Sequence, residues 1–423
     1  MLRFAQSPTG DMNISNLRVA IFNYIVSVQR KEDLIIRIED MDKDSNIDGK
    51  DKEILDILNL FGIEYSQIIY QSEQTRFHSA MALQLIHDKK AFSCFCSDDW
   101  LDKKRQEAKD DKKEYFYDDA CRNLPAELVI DNTAPFTIRI AKSSNEITIK
   151  DAIKGDVTFK TDVLDSFIIM RQDKTSMQNF SSAIDDMLNN ISIVIRNEKN
   201  FNSSPQQEHI RKSLNYDKSI EYAHLPMILN ADEISVKFLL EEGFLPEAII
   251  NYLILIGNKT PKEIFSMQEA KEWFSLDTIS NSPTPFDMDR LRYINTQHLN
   301  NLDSKELSRY LGFADDSIGE LAKVYLTDVS TTKELREKIE PIFATKNIPA
   351  EFSEEVEKLI VVIKNAPYFD EYTKFEKYVM QESNIEEKNF FKLLRLVLTG
   401  AENGPDISEI YKHIKNYIGE IVK

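Results

Sequence analysis

Hydrophobic and polar positions in the first forty residues follow an order that predicts a strand, a turn, a helix and a second strand. Residues 2–5 form a short apolar run, and Ser-Pro-Thr-Gly at 7–10 has the composition of a turn. The next segment predicts an amphipathic helix, because apolar residues recur there at helical spacing. These positions are Leu17, Ala20, Ile21, Tyr24, Ile25 and Val28.

This predicted unit aims backbone N–H groups and a helix dipole at one place, where nucleotide phosphates bind in many α/β proteins. Asn13, Ser15 and Asn16 are the candidate N-caps of the helix. An ordinary α/β turn without a nucleotide fits the same pattern equally well. The pattern of the turn alone therefore leaves both readings open.

Later segments continue the alternation of strands and helices as far as about residue 235, and the rest of the chain has helical periodicity. Proline-containing breaks are predicted near 281–283, 340–341 and 404–405. Helices are predicted at 54–61 and 79–86, a solvated helix or loop at 98–119, and strands within 89–95, 136–140, 147–149, 157–159, 167–171 and 191–196.

Composition limits the class of protein. A chain of 423 residues with 42% hydrophobic residues is long enough for two to four domains. No apolar run reaches 18 residues and no signal pattern opens the chain, so we expect a cytoplasmic protein with no membrane partner. The net charge of −18 argues against a general polyanion binder, although a single basic face would be enough for one nucleic-acid partner.

The three cysteines, Cys94, Cys96 and Cys121, lie in one segment, with 24 residues between the second and the third. An odd number of cysteines in a reducing compartment favours a metal site or free thiols over disulfides. Zinc is the natural candidate, with an oxygen of Tyr117 or Tyr115 as a fourth ligand, although tyrosine is an uncommon one. Buried structural thiols are the alternative, and the role is structural in either case.

Particular runs of residues carry a closer resemblance. Residues 4–18, with Phe-Asn-Tyr at 22–24 and Arg-Ile-Glu-Asp-Met-Asp at 37–42, resemble the opening of bacterial glutamyl-tRNA synthetases. The spacing of the cysteines and Tyr117 is also similar to a zinc-binding insertion in some members of that family. The resemblance covers essentially the whole chain, with further matches at 164–167, 185–186, 223–226, 243–248, 394–396 and 399–400.

The resemblance implies the architecture of a class I aminoacyl-tRNA synthetase. The expected fold is an α/β Rossmann-type catalytic domain with an inserted α+β domain for the tRNA acceptor end, followed by an all-α C-terminal half. The predicted divisions are 1–93 (first Rossmann half), 94–165 (insertion with the cysteines), 166–230 (second Rossmann half), 231–300 (helical stem-contact domain) and 301–423 (helical anticodon-binding-like domain).

The resemblance also implies binding residues. Arg3, Ser7, Glu39 and Arg196 fall at positions that bind glutamate in the family, and Gln178 replaces a tyrosine of that pocket. A simpler interpretation is that Arg37 or Arg196 only pairs with Glu39 or Asp40. The residues expected near the nucleotide are Thr9, Gly10, Asn13 and Asn16.

The ATP-binding signatures depart from the family pattern, so no residue is assigned as catalytic. Asn13, Ile14, Ser15 and Asn16 stand where the family has His-Ile-Gly-His, and a carboxamide carries no positive charge. The mobile loop with the Lys-Met-Ser-Lys-Arg signature is predicted to be missing, because the next helix resumes about ten residues early, at 231–237.

Two smaller departures lie nearby. The residues left in place of the loop include Asp232 and Glu233, whose charge has the wrong sign for a triphosphate clamp. Lys199 and Asn200 replace an aspartate and a histidine of the family. Lys199 would restore some positive charge if its side chain points towards the pocket.

Three functional hypotheses follow. The first is a glutamyl-tRNA synthetase paralogue in translation, with impaired or absent activation of glutamate, that keeps tRNA or partner binding. The second is a working glutamate–tRNA ligase that uses Mg-ATP and substitute residues such as Lys199 and Lys237. The third is a regulatory protein that binds glutamate or a nucleotide without turnover. A monomer with structural zinc and a tRNA partner is expected in the first case.

Overall fold

The computed structural model describes residues 1–113, 115–161, 164–231 and 233–422. The chain forms two compact units. The first comprises Met1–Val236 and Leu253–Phe286, and the second comprises Lys237–Tyr252 and Asp287–Lys423. All of the predicted strands and all of the candidate site residues belong to the first unit.

Strands of the first unit form four small sheets. β1, β2 and β3 are parallel, β4, β5 and β8 are antiparallel, and β11 pairs with β12. The fourth sheet has the order β7-β6-β10-β9, in which β10 is parallel to both neighbours. The bounds are β1 (Leu2–Gln6), β2 (Leu34–Ile38), β3 (Gln67–Tyr70), β4 (Ala91–Cys94), β5 (Thr137–Ile140), β6 (Ile147–Asp151), β7 (Gly155–Phe159), β8 (Ile168–Met170), β9 (Ile193–Asn197), β10 (Glu221–Leu225), β11 (Ile228–Leu229) and β12 (Thr284–Pro285).

Helices connect the parallel strands of the first unit. The parallel strands β1 and β2 need a crossover between them, and the helix α1 provides it. The helices up to the end of β12 are α1 (Ile14–Arg30), α2 (Lys50–Leu60), α3 (Thr75–His87), α4 (Asp98–Asp110), α5 (Ala126–Ile130), α6 (Gln178–Leu188), α7 (Ser204–Ser213), α8 (Val236–Glu241), α9 (Pro246–Leu255) and α10 (Met267–Trp273).

The second unit is helical in its described residues. One face of α17 is apolar and buried, with Phe390, Leu393, Leu394 and Val397 at the spacing of successive helical turns. The remaining helices are α11 (Met288–Asn301), α12 (Ser304–Tyr310), α13 (Asp316–Tyr325), α14 (Thr332–Phe343), α15 (Ser353–Asn365), α16 (Tyr372–Ser383), α17 (Glu387–Thr399), α18 (Ile407–Ile414) and α19 (Ile418–Ile421).

Two details differ from the sequence predictions. Val28 belongs to the predicted apolar stripe of α1 but is 43% exposed, because it lies in the last turn of the helix. The break predicted near 340–341 falls two residues later, because α14 includes Pro341 and ends at Phe343. Pro341 has no N–H, so the last turn of α14 has one hydrogen bond fewer than a regular helix. Among the described residues, no helix combines the length and the hydropathy needed to cross a bilayer.

Candidate substrate pocket and cysteine centre

A single buried carboxylate, Asp186, organises the arginines beneath the candidate pocket. Its Oδ1 accepts hydrogen bonds from Arg3 Nε at 3.3 Å and from Arg37 Nη1 at 2.6 Å. Burial alone would raise the pKa of Asp186, but the charges of Arg3, Arg37 and Arg211 outweigh it and lower the pKa to about 2. Arg37 also donates to Glu39 Oε1 at 3.0 Å, which is the pairing considered for Arg37 from the sequence.

Arg196 is different, because its hydrogen-bond partners are neutral. The guanidinium donates to His224 Nε2 at 3.1 Å, to Gln207 Oε1 at 3.1 Å and to Ser204 Oγ at 2.7 Å. Within the described ranges, no carboxylate lies within ion-pair distance of it. Burial is the main reason that the pKa of Arg196 is lowered, to about 10. A buried cation without a counterion favours binding of an anion.

Asp151 bonds the ring nitrogen of His224 that does not face Arg196. Asp151 Oδ2 lies 2.5 Å from His224 Nδ1 and also accepts from the backbone N–H of His224. Burial lowers the pKa of His224 despite this carboxylate, which favours the neutral ring. The ring therefore presents its Nε2 lone pair to Arg196 and fixes the direction of the guanidinium.

A small cavity of about 80 Å³ brings four of the five predicted substrate-binding residues together. Glu39, which pairs with Arg37, also accepts hydrogen bonds from Gln178 Nε2 at 3.1 Å and Ser182 Oγ at 3.3 Å. The arrangement offers cations for a carboxylate and one carboxylate for an ammonium group. The lining residues are Arg3, Ala5, Arg37, Glu39, Gln178, Asn179, Ser182, Arg196, Asn200, Ser203 and Gln207.

Ser7, the fifth predicted residue, lines a neighbouring cavity of about 250 Å³ together with Thr9. The two cavities have Glu39 and Gln178 in common. Neither lining set, as far as the chain is described, includes Gly10, Asn13 or Asn16. The nucleotide-binding roles of these three residues and of Thr9 remain predictions.

The signature residues at the start of α1 are engaged in local hydrogen bonds. Asn13 is the N-cap, and its side-chain oxygen accepts from the backbone N–H of Asn16 at 2.9 Å. The side-chain oxygen of Asn16 accepts from Asn197 Nδ2 at 3.2 Å, and Ile14 is buried. These carboxamides therefore stabilise the helix start, and neither brings a positive charge to it.

The connection between β11 and α8 consists only of residues 230–235. It is held against the segment before α1, since Ile14 N donates to Ile234 O at 3.2 Å and Val236 N donates to Met12 O at 2.9 Å. Glu233 is exposed within this connection. Asp232, the other acidic residue predicted there, lies outside the described residues.

The three cysteines form one cluster in the first unit. Their sulfur atoms all lie within 4.8 Å of one another, and Cys94 and Cys121 are buried. The Tyr117 hydroxyl lies 3.4 Å from Cys94 Sγ and 3.4 Å from Cys96 Sγ. The Tyr115 hydroxyl has no hydrogen-bond partner among the described residues. Sequence spacing thus predicted the cluster correctly, with Tyr117 rather than Tyr115 beside it.

The donor set fits a zinc ion. Burial would raise the pKa of the Cys94 thiol, but hydrogen bonds from Tyr117, from the backbone at Cys96 and from Arg139 lower the pKa to about 7. Burial and the neighbouring thiols raise the pKa of Cys96 to about 12, and burial also raises the pKa of Tyr117. A metal held by Cys94, Cys96 and Cys121 would release these protons, with Tyr117 as the available oxygen donor.

Comparisons with known proteins identify the family. Residues 1–293 match the family described as tRNA synthetases class I (E and Q), catalytic domain. The chain is 65% identical to glutamate–tRNA ligase 2 of Sulfurimonas denitrificans and 48% identical to glutamate–tRNA ligase 1 of Nitratiruptor sp., and each comparison covers 100% of both chains. The alignment with the Sulfurimonas protein extends over 432 residues, nine more than this chain contains.

Solved structures show the same fold at lower sequence identity. The crystal structure of glutamate-tRNA synthetase from Elizabethkingia anophelis has a TM-score of 0.78 at 22% identity, covering 100% of this chain and 98% of that one. A glutamate tRNA ligase from Elizabethkingia meningosepticum, in complex with its amino acid, has a TM-score of 0.80 at 22% identity and the same coverage. This chain has class I synthetase architecture and belongs to the glutamyl/glutaminyl class I tRNA synthetase family.

Proposed function

We propose that this chain is a glutamyl-tRNA synthetase-like protein that keeps a glutamate pocket and tRNA binding but has lost efficient ATP-dependent activation of glutamate. The observation that carries the proposal is the six-residue connection between β11 and α8, where the family's lysine-bearing loop is expected. The alignment with the Sulfurimonas relative is nine positions longer than this chain, which agrees with a shorter connection here.

Electrostatics explains why this loss matters. Attack of a glutamate carboxylate on the α-phosphate of Mg-ATP needs no protein nucleophile, so catalysis consists of positioning and charge stabilisation. Removing one preorganised charge from a transition state commonly costs a factor of about 10² to 10³. Here the loop lysine is missing, and both histidine positions of the signature, Asn13 and Asn16, hold carboxamides.

The intact half of the site supports glutamate recognition. Arg196 has an unneutralised buried charge for a side-chain carboxylate, and Glu39 can accept hydrogen bonds from an ammonium group. Gln178 provides no aromatic wall, so discrimination between glutamate and similar amino acids is expected to be weaker than with tyrosine. We also propose that the five-part division of the sequence describes the functional domains.

One observation favours a second function, that of a working glutamate–tRNA ligase. Identity of 65% to a protein named as such a ligase is high enough for shared chemistry. In that case Lys199 and Lys237 are the candidate replacements for the lost charges. Glutamate-dependent exchange of pyrophosphate into ATP separates the two functions, because only the ligase forms an adenylate.

Binding of tRNA separates the proposed paralogue from a purely regulatory protein. Labelled tRNA should be retained with this chain on a filter at low salt, and retention should fall steeply as the salt concentration rises. A net charge of −18 makes non-specific retention weak, so a single-stranded polynucleotide of equal length serves as the matched control. Equal retention of both polymers, or of neither, would contradict tRNA recognition.

We further propose that the cysteine cluster holds a structural zinc ion. Protein purified without chelator should contain about one zinc per chain by elemental analysis. Replacement Cys121→Ser should remove it and lower the melting temperature, because metal binding contributes to folding free energy. The control Ser93→Ala alters a neighbouring small residue of β4 outside the cluster. Loss of zinc in both variants, or in neither, would count against the assignment.

A further inference from the structure

A hydrogen-bonded serine, histidine and aspartate lie beside the cavity of about 250 Å³ that Ser7 and Thr9 line. The proposed ATP chemistry uses none of the three. Ser176 Oγ lies 3.2 Å from His78 Nδ1, and His78 Nε2 lies 2.8 Å from Asp185 Oδ1. All three side chains are buried. The second oxygen of Asp185 accepts from Gln71 Nε2 at 2.8 Å, which fixes the plane of the carboxylate.

These contacts determine where the hydrogen of the imidazole lies. A carboxylate only accepts hydrogen bonds, so the ring hydrogen is on Nε2, towards Asp185. The lone pair of Nδ1 then faces the hydroxyl group of Ser176. A serine hydroxyl that donates to one imidazole nitrogen, while a carboxylate holds the other, is the arrangement that activates a serine nucleophile, here with the two ring nitrogens exchanged relative to the usual triad.

The serine also has access to a substrate. Ser176 is 4% exposed, but it lines the cavity of about 250 Å³ together with Gln71 and Arg171. The helix α6 begins two residues later, and its N-cap, Met177, makes no side-chain hydrogen bond to the first turn. The N-terminal end of α6 follows Ser176 directly and Arg171 lines the same cavity, so both are candidates to stabilise an oxyanion formed there.

We propose that Ser176 is the nucleophile of an esterase site for α-esters of acidic amino acids, with His78 as its general base. The substrate class rests on the proposed glutamate pocket, because the two cavities meet at Glu39 and Gln178. With the side-chain carboxylate at Arg196 and the ammonium group at Glu39, the α-ester carbonyl extends into the larger cavity, towards Ser176.

The proposed reaction has two balanced steps. Ser176 Oγ forms a bond to the ester carbonyl carbon while its proton moves to His78 Nδ1. The bond between that carbon and the alkoxy oxygen then breaks, and the departing alcohol takes the proton from His78. In the second step water attacks the acyl-serine through the same base, releasing the free amino acid and restoring the hydroxyl group. Asp185 and Gln71 act as positioning residues for His78.

A serine-directed fluorophosphonate tests the nucleophile directly on the full chain, with the labelled peptide identified by mass spectrometry. We expect label on Ser176 and none after Ser176→Ala. His78→Gln should slow labelling by about 10² or more, which is the usual contribution of a general base. Ser181→Ala is the matched control and should label normally, since Ser181 is equally buried on α6 but bonds only to backbone carbonyl groups.

The substrate class is tested with the α-methyl ester of glutamate, whose hydrolysis should disappear in Ser176→Ala and in Arg196→Met. Arg196→Met should still take the fluorophosphonate, so loss of the glutamate pocket is distinguishable from loss of the nucleophile. Ser176→Cys, which keeps a nucleophile of similar size, serves if the alanine variant does not fold, and it should react with iodoacetamide at this position. A folded wild-type chain without label on Ser176 would overturn the proposal, whatever the ATP assays give.

Discussion

Replacement of Asp186 by alanine is expected to lower the free energy of unfolding by about 3–5 kcal/mol, the usual cost of removing one partner from a buried charge network. The carboxylate is fully buried and accepts hydrogen bonds from Arg3 and Arg37. Without it, the buried guanidinium of Arg3 loses its carboxylate partner, and that of Arg37 keeps only Glu39. Denaturant titration of the wild-type and variant chains measures the difference.

The matched control is Asp102→Ala. Asp102 also pairs with an arginine, Arg105, but both side chains are more than half exposed, so the loss should stay below about 1 kcal/mol. Equal losses in the two variants would contradict the role assigned to Asp186.

The carboxylate of Asp186 also makes the free energy of unfolding depend on pH, and the direction of its pKa shift fixes the sign of that dependence. The pKa of Asp186 is about 2 in the folded chain, below its ordinary value of 3.8. Its contribution to stability is therefore fully present above pH 4 and is lost as the pH falls from about 4 to about 2. The Asp186→Ala variant should lack this part of the acid sensitivity of the wild-type chain.

Replacement of Arg196 by methionine is expected to weaken glutamate binding without lowering the stability of the ligand-free chain. Glutamate binding should weaken by about 2–5 kcal/mol, or at least about 30-fold in Kd, because a buried charge partner of the ligand is removed. The free energy of unfolding of the ligand-free chain should stay the same or rise, because an uncompensated buried cation is replaced by an apolar side chain. Calorimetric titration with glutamate and denaturant unfolding measure the two quantities.

Arg105→Met is the control for both measurements, because the Arg105 side chain is 53% exposed and does not line either cavity. A large loss of stability in Arg196→Met would show that the hydrogen bonds of the guanidinium to His224, Gln207 and Ser204 have a structural role. Unchanged glutamate binding would exclude Arg196 from the pocket.

Patterns within short stretches of the sequence predicted the features that neighbouring residues determine, namely the apolar face of a helix, its N-cap and the cysteine cluster. The periodicity of residues 17–25 gives the buried face of α1, and Asn13, one of the three candidates, is its N-cap. The cysteine spacing gives the sulfur cluster, because β4 ends at Cys94 and the chain returns to it through α4 and the loop that follows. The break near Pro341 falls two residues later than the proline for the complementary reason, because the buried residues Ile339 and Ile342 keep α14 helical to Phe343.

Contacts between distant residues could not be read from periodicity. Asp186 is 149 residues from Arg37 and 183 from Arg3, and nothing in either local pattern indicates the pairing. Sequence analysis likewise missed His224 and Asp151 as the support of Arg196, and it missed the pairing of Ser176 with His78 across 98 residues. One local signal could have pointed to these residues. A polar residue within an apolar strand, such as His224 in β10, indicates a buried side chain that needs a hydrogen-bond partner.

The most direct test of the central claim is glutamate-dependent exchange of labelled pyrophosphate into ATP, with magnesium and tRNA present. We expect no exchange above the background without enzyme, because the connection 230–235 carries no lysine and Asn13 and Asn16 carry no charge. The Arg196→Met variant, purified in parallel, reveals exchange that comes from a contaminating ligase. Robust exchange by the wild-type chain that disappears in this variant would contradict the account.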